Sequence, residues 1–110
     1  MANTFSRKTS QGVGANIISI GNYTTPSSTI ATVIGLSLCN MTNTEVRANV
    51  ILSNASSNTF ITSRASIPAF DTLIVVGGDQ KVVMETGDSI KVQSNVASSL
   101  DVVMSILEIS

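Results

Sequence analysis

Glu45-Val46-Arg47-Ala48-Asn49-Val50-Ile51-Leu52 decides the fold. Glu45, Arg47 and Asn49 alternate with Val46, Ala48, Val50 and Leu52, and a period of two sends successive side chains to opposite faces of a strand. The first set is expected to face water and the second a core. The same spacing recurs on both sides of this segment, at Ile34-Leu36-Leu38, Leu73-Val75, Ile90-Val92 and Val102-Met104-Ile106.

Between these runs lie turn residues. Asn40 to Thr44 is a hairpin-like connection, Ser53 to Asn58 is a turn cluster, Pro68 marks a loop, Gly77-Gly78-Asp79 breaks the pattern, and Glu85-Thr86-Gly87-Asp88 reads as a tight turn in which Gly87 supplies a positive φ. Strands are expected at about Ala15 to Ile20, Thr29 to Asn40, Glu45 to Leu52, Thr59 to Arg64, Thr72 to Val76, Lys81 to Met84, Ser89 to Ser94 and Leu100 to Ile109. No segment sustains a 3.6-residue period, so little or no helix is expected. Seven or eight short strands at this spacing predict an all-β chain folded as a single antiparallel β-sandwich, immunoglobulin-like or jelly-roll-like in its connections.

Residues 1–14 hold Arg7, Lys8, Gly12 and Gly14 among Ser, Thr and Asn, without apolar periodicity. They read as a flexible N-terminal arm attached to a domain of residues 15–110, and removing such an arm is expected to spare folding. Two strands break the inside/outside rule. Val103, Leu107 and Ile109 crowd the second face of the last strand, and Leu73 to Val76 is apolar on both faces. A strand apolar on both sides needs a partner on both sides. Another subunit is the expected partner, with the arm or the Pro68 loop as the alternative cover. The interface candidates are therefore Leu73, Val75, Val103, Leu107 and Ile109, with Arg7 and Lys8 of the arm placed to touch a neighbouring surface.

Composition narrows the function. Of 110 residues, 12% are charged and the formal net charge is -1, so no field draws in nucleic acid. Histidine is absent, which removes the usual base of a nucleophilic triad, and the seven acidic residues are dispersed singly. Gly77 to Lys81 lacks the spacing of a phosphate-binding loop, and Asp71, Asp79 and Asp88 form no calcium-loop array. No enzyme activity, metal or cofactor is expected. Cys39, the one cysteine, allows no intrachain disulfide and is expected in or near the core as a small hydrophobe. No run is long enough to span a membrane, no signal-like stretch opens the chain, and a membrane partner is not expected.

Ile67-Pro-Ala-Phe-Asp-Thr-Leu-Ile-Val-Val76, the turn and strand Val83-Met-Glu-Thr-Gly-Asp-Ser-Ile-Lys-Val92, and the closing Val102-Val-Met-Ser-Ile-Leu-Glu-Ile109 resemble segments of small virion structural proteins of tailed bacteriophages. Thr29 to Leu36, with Asn40 and Thr42 opening the next turn, is similar to the same group. The resemblance covers about residues 29–109. It implies a β-sandwich present in many copies on a particle assembled in a bacterial cytoplasm, as a capsid decoration or cement protein, or as a neck, tail or fibre component. The implied partners are other copies of the chain and the major capsid or neck/tail proteins. A carbohydrate-binding adhesion module, with Tyr23 as a loop aromatic, is the reading from a different class.

Overall fold

The computed structural model describes residues 3–54, 57–77 and 81–110. Nine strands follow in chain order: β1 (Asn3–Val13), β2 (Ile18–Ser19), β3 (Ile30–Asn40), β4 (Val46–Asn54), β5 (Ser57–Ile67), β6 (Thr72–Val76), β7 (Val82–Met84), β8 (Ser89–Ser94) and β9 (Leu100–Ile109). A three-residue 3-10 turn, Ile20–Asn22, follows β2. The strands form two antiparallel sheets, so the chain is the all-β sandwich that the alternation predicts. One sheet runs β1-β9-β3-β6 with β7 also paired to β3, and the other runs β2-β8-β4-β5. The connections after β1, β2, β3, β5, β7 and β8 each carry the chain from one sheet to the other, so Asn40 to Thr44, expected as a hairpin-like turn, is instead a crossing between sheets.

The first long apolar strand pairs with the last, β3 with β9, while β4 pairs with β8 in the opposite sheet. Both sheets thus depend on contacts between distant parts of the chain. The core between them is aliphatic: Leu38, Leu100, Met104 and Ile106 from the first sheet meet Val46, Val50, Ile67, Ile90 and Val92 from the second. Each of these side chains is removed from water, a contribution of about 1.5–3 kcal/mol apiece.

Most turns fall where glycine, proline and asparagine place them. Gly87 has φ +90, the Asp88 N–H donates to the Glu85 carbonyl at 2.9 Å, and Asp88 Oδ2 accepts the Glu85 N–H at 2.9 Å. Residues 55–56 and 78–80, which include Asp79 and most of the expected Gly77 to Lys81 turn, lie outside the described residues.

Three further expectations are corrected. Most of the segment read as an arm is β1, paired with β9 from Asn3↔Ile109 to Ser10↔Val102 and again at Val13↔Leu100. Its ladder is made of backbone groups, and the residues it turns inward are Thr4, Ser6, Lys8 and Ser10, so hydrophobic periodicity carries no trace of it. Second, Ile34 does not share a face with Leu36 and Leu38. The register against β9 shifts between Val33 and Gly35, and the bulge turns Val33 inward and Ile34 outward. Third, Cys39 is half-buried on the outward side of β3, opposite Asp101 and Thr72, instead of in the core.

Candidate functional site

Two outer faces remain once the core is closed, and they differ in kind. On the β4-β8 sheet the outward residues are Arg47, Asn49, Lys91 and Gln93, with Ile51 covered between Lys91 and Phe60 in the ladder. That face is wet. On the β1-β9-β3-β6 sheet large apolar side chains and small polar ones share the outward face, and the antiparallel register aligns them in rows.

One row is Phe5, Leu107, Thr32 and Val83; another is Thr9, Val103, Ser37 and Ile74; Ile109 stands beside Ile30 at one end. Phe5 is 74% exposed, Ile74 63%, Val83 52%, Ile30 48% and Val103 44%. These are five of the nine large hydrophobic side chains exposed among the described residues, gathered on one side of one sheet. Ile34 joins them through the β3 bulge and lines a shallow depression with Phe5, Arg7 and Ser105. Among the paired residues of these strands, Arg7 and Asp101 are the charged side chains on this face, and Asp101 Oδ1 accepts the Gly12 N–H at 3.1 Å.

The structure therefore brings Arg7, Val103, Leu107 and Ile109 together on the exposed side. Leu73 and Val75 are half-buried and pack against the core while Ile74, opposite Ser37, faces outward, and the register shift between Leu36 and Ser37 turns Val76 inward as well. Lys8 points the other way from Arg7. Its ammonium lies 4.9 Å from the centre of the Tyr23 ring, a cation-π contact that ties β1 to the 3-10 turn. Tyr23 is itself buried and donates from its hydroxyl to Glu108 Oε2 at 2.6 Å, so it offers no loop platform for a sugar. Burial first, then the hydrogen bond and the negative charge of Glu108, push the phenol pKa well above its usual value.

Sequence reasoning missed Phe5, Ile30, Ile74 and Val83. The signal for Val83 was present in the apolar run Val82-Val83-Met84, too short to show alternation. Phe5 alternates with Arg7 and Thr9 inside a polar segment and carries no signal until β1 is known to be a strand. The N-terminal segment does not fold across the apolar face. It extends the sheet sideways and adds Phe5 to the surface.

No protein-family model matches the chain, and a search of curated proteins finds no match. Among solved structures, a chain from work on Bacillus endospore appendages, which "form a novel family of disulfide-linked pili", is similar at a TM-score of 0.49 and 13% identity, over 100% of this chain and 91% of that one.

Proposed function

We propose that the chain is a non-enzymatic structural subunit of a bacteriophage virion, a capsid decoration or cement protein that attaches through the outer face of its β1-β9-β3-β6 sheet. The observation that carries this reading is the apolar face itself, five exposed large hydrophobic side chains in cross-strand register on one side of the sandwich. Three strands about ten residues long and about 4.8 Å apart, with the short β6 and β7 sharing the next place beside β3, present about 600 Å² in projection. Two such surfaces in contact reach about 1,200 Å², the lower end of stable protein interfaces. The opposite face is mainly polar, with Phe60 as its exposed apolar side chain, as suits a subunit with one side on a particle and the other in water. The resemblance of residues 29–109 to small virion proteins supplies the particle.

Reconstitution tests the proposal. Shells stripped of accessory proteins are mixed with the purified chain and sedimented. The chain is expected to sediment with the shells to a saturating copy number, and Ile74→Lys, still folded by circular dichroism, to stay in the supernatant. Retention by neck or tail complexes but not by shells would move the subunit to that part of the virion. Retention by neither would defeat the virion reading.

A further inference from the structure

The wet face holds a cleft of about 440 Å³ lined by Arg47 and Asn49 of β4, Arg64 of β5, Gln93 of β8, Asn95 and the backbone around Ala15. Its amides are held in fixed orientations. Asn49 Oδ1 accepts the Arg64 backbone N–H at 2.8 Å, and Asn49 Nδ2 donates to Gln93 Oε1 at 3.2 Å. Gln93 Nε2 donates to the Ala15 carbonyl at 2.9 Å, and Asn95 Oδ1 accepts the Arg47 N–H at 2.9 Å.

The guanidinium groups are not satisfied in the same way. Arg47 Nε lies 3.5 Å from Glu45 Oε1, a pair about half exposed on both sides and therefore weak. The Arg64 guanidinium has no hydrogen-bond or ion-pair partner among the described residues. Arg64 also stands at φ +52, where the register of β5 against β4 shifts. Glycine holds that left-handed conformation without strain, whereas an arginine there is strained, and the bulge re-aims its side chain. A strained, unpaired arginine beside a second arginine and three oriented amides is an arrangement that folding does not require.

We infer that this cleft binds the carboxylate of an acidic sugar of the uronic-acid type. A guanidinium fork matches a carboxylate with two parallel hydrogen bonds, and side-chain amides both donate to and accept from ring hydroxyls. No aromatic ring lines the cleft, so the contacts are polar and their strength falls as salt is added.

The test is titration of the full chain with glucuronate, glucose and inorganic phosphate, following the thermal midpoint and the backbone amide resonances of Asn49, Arg64 and Asn95. Glucuronate is expected to give saturable shifts confined to these residues and reduced by salt, and glucose none. Arg64→Gly relieves the strained backbone, so it is expected to melt at or above the wild-type temperature while binding glucuronate about tenfold more weakly. Arg47→Gln is expected to weaken binding in the same direction. Absence of saturation with glucuronate, or an unchanged response in Arg64→Gly, would overturn the inference. Phosphate binding as well as glucuronate would make the cleft a general anion site and overturn the sugar assignment.

Discussion

Asn40 shows how much one polar residue can carry in this fold. It is fully buried at the end of β3, and its Nδ2 donates to the carbonyls of Thr44, Ile67 and Pro68 at 2.9, 3.0 and 3.1 Å. Its Oδ1 accepts from the Thr42 N–H at 2.9 Å and the Thr42 hydroxyl at 2.8 Å. One side chain thus closes the β3-β4 connection and fastens it to the end of β5. Asn40→Ala would strand these groups in a buried site, and a loss of about 2–4 kcal/mol in stability is expected by urea denaturation. Tyr23 makes a second prediction at this scale. The folded state holds its phenol pKa above the ordinary value of about 10. Its contribution to stability is therefore complete below about pH 10 and is lost as the pH rises from there through the folded value, because the unfolded chain ionises first. It is the one tyrosine and there is no tryptophan, so tyrosinate absorbance reports this group alone. Ionisation is expected only at a pH well above that of a free phenol, or together with unfolding. Tyr23→Phe is expected to flatten the alkaline fall in the thermal midpoint.

β1 is the element whose role changes most between sequence and structure. It pairs with β9 along nearly its whole length, the Ser10 hydroxyl accepts the Gly21 N–H at 2.9 Å, and a Cβ on Gly21 would meet Lys8 Cβ at 2.9 Å. Gly21, at φ +60, thus serves both the turn and the close approach of β1. Arg7 and Lys8 put charge on a long free edge, which discourages pairing with stray strands. Deleting residues 1–10 is expected to lower the thermal midpoint by about 10 °C or more and to leave β9 as an uncovered edge that associates with other chains. Scanning calorimetry and light scattering read both effects. An unchanged midpoint would restore the flexible-arm reading. β6 and β3 make the related point that a bulge shifts the parity of a strand. Alternation identifies both strands correctly, yet cannot tell that Ile34 turns outward and Val76 inward, because the extra residue is set by pairing and leaves no local mark.

At the scale of the whole molecule, exposed large hydrophobic side chains are concentrated on one outer side of the sandwich, and the other side is mainly polar. In the absence of shells, the solution mass by light scattering, measured at several concentrations, is expected to exceed that of the monomer as copies cover the apolar face that a shell would otherwise take. Val103→Lys is expected to give monomers with an unchanged circular dichroism spectrum, since Val103 is 44% exposed and outside the core. Gln93→Lys, on the polar side, is expected to leave the mass unchanged. If Val103→Lys unfolds the chain, or leaves the mass as it was, the apolar face is not the surface through which copies meet. The two sides also separate the two proposals, since attachment uses the β1-β9-β3-β6 side and acidic-sugar binding the other.

Read alone, the sequence determined the class of fold, the positions of β3, β4, β6, β8 and β9 and the Gly87 turn. Each of these depends on side-chain alternation or on one residue's backbone freedom, and both are local properties. Part of the exposed apolar face was legible too, since Val103, Leu107 and Ile109 cannot all be inward in a strand that also buries Val102, Met104 and Ile106. Tertiary structure alone decided that β1 is a strand, that Phe5 and Ile74 complete the apolar face, and that Arg47 and Arg64 share a cleft. Those facts depend on which backbone edges pair and in what register. Hydrogen bonds between residues a hundred positions apart are directed by the whole fold, and hydrophobic periodicity does not record them.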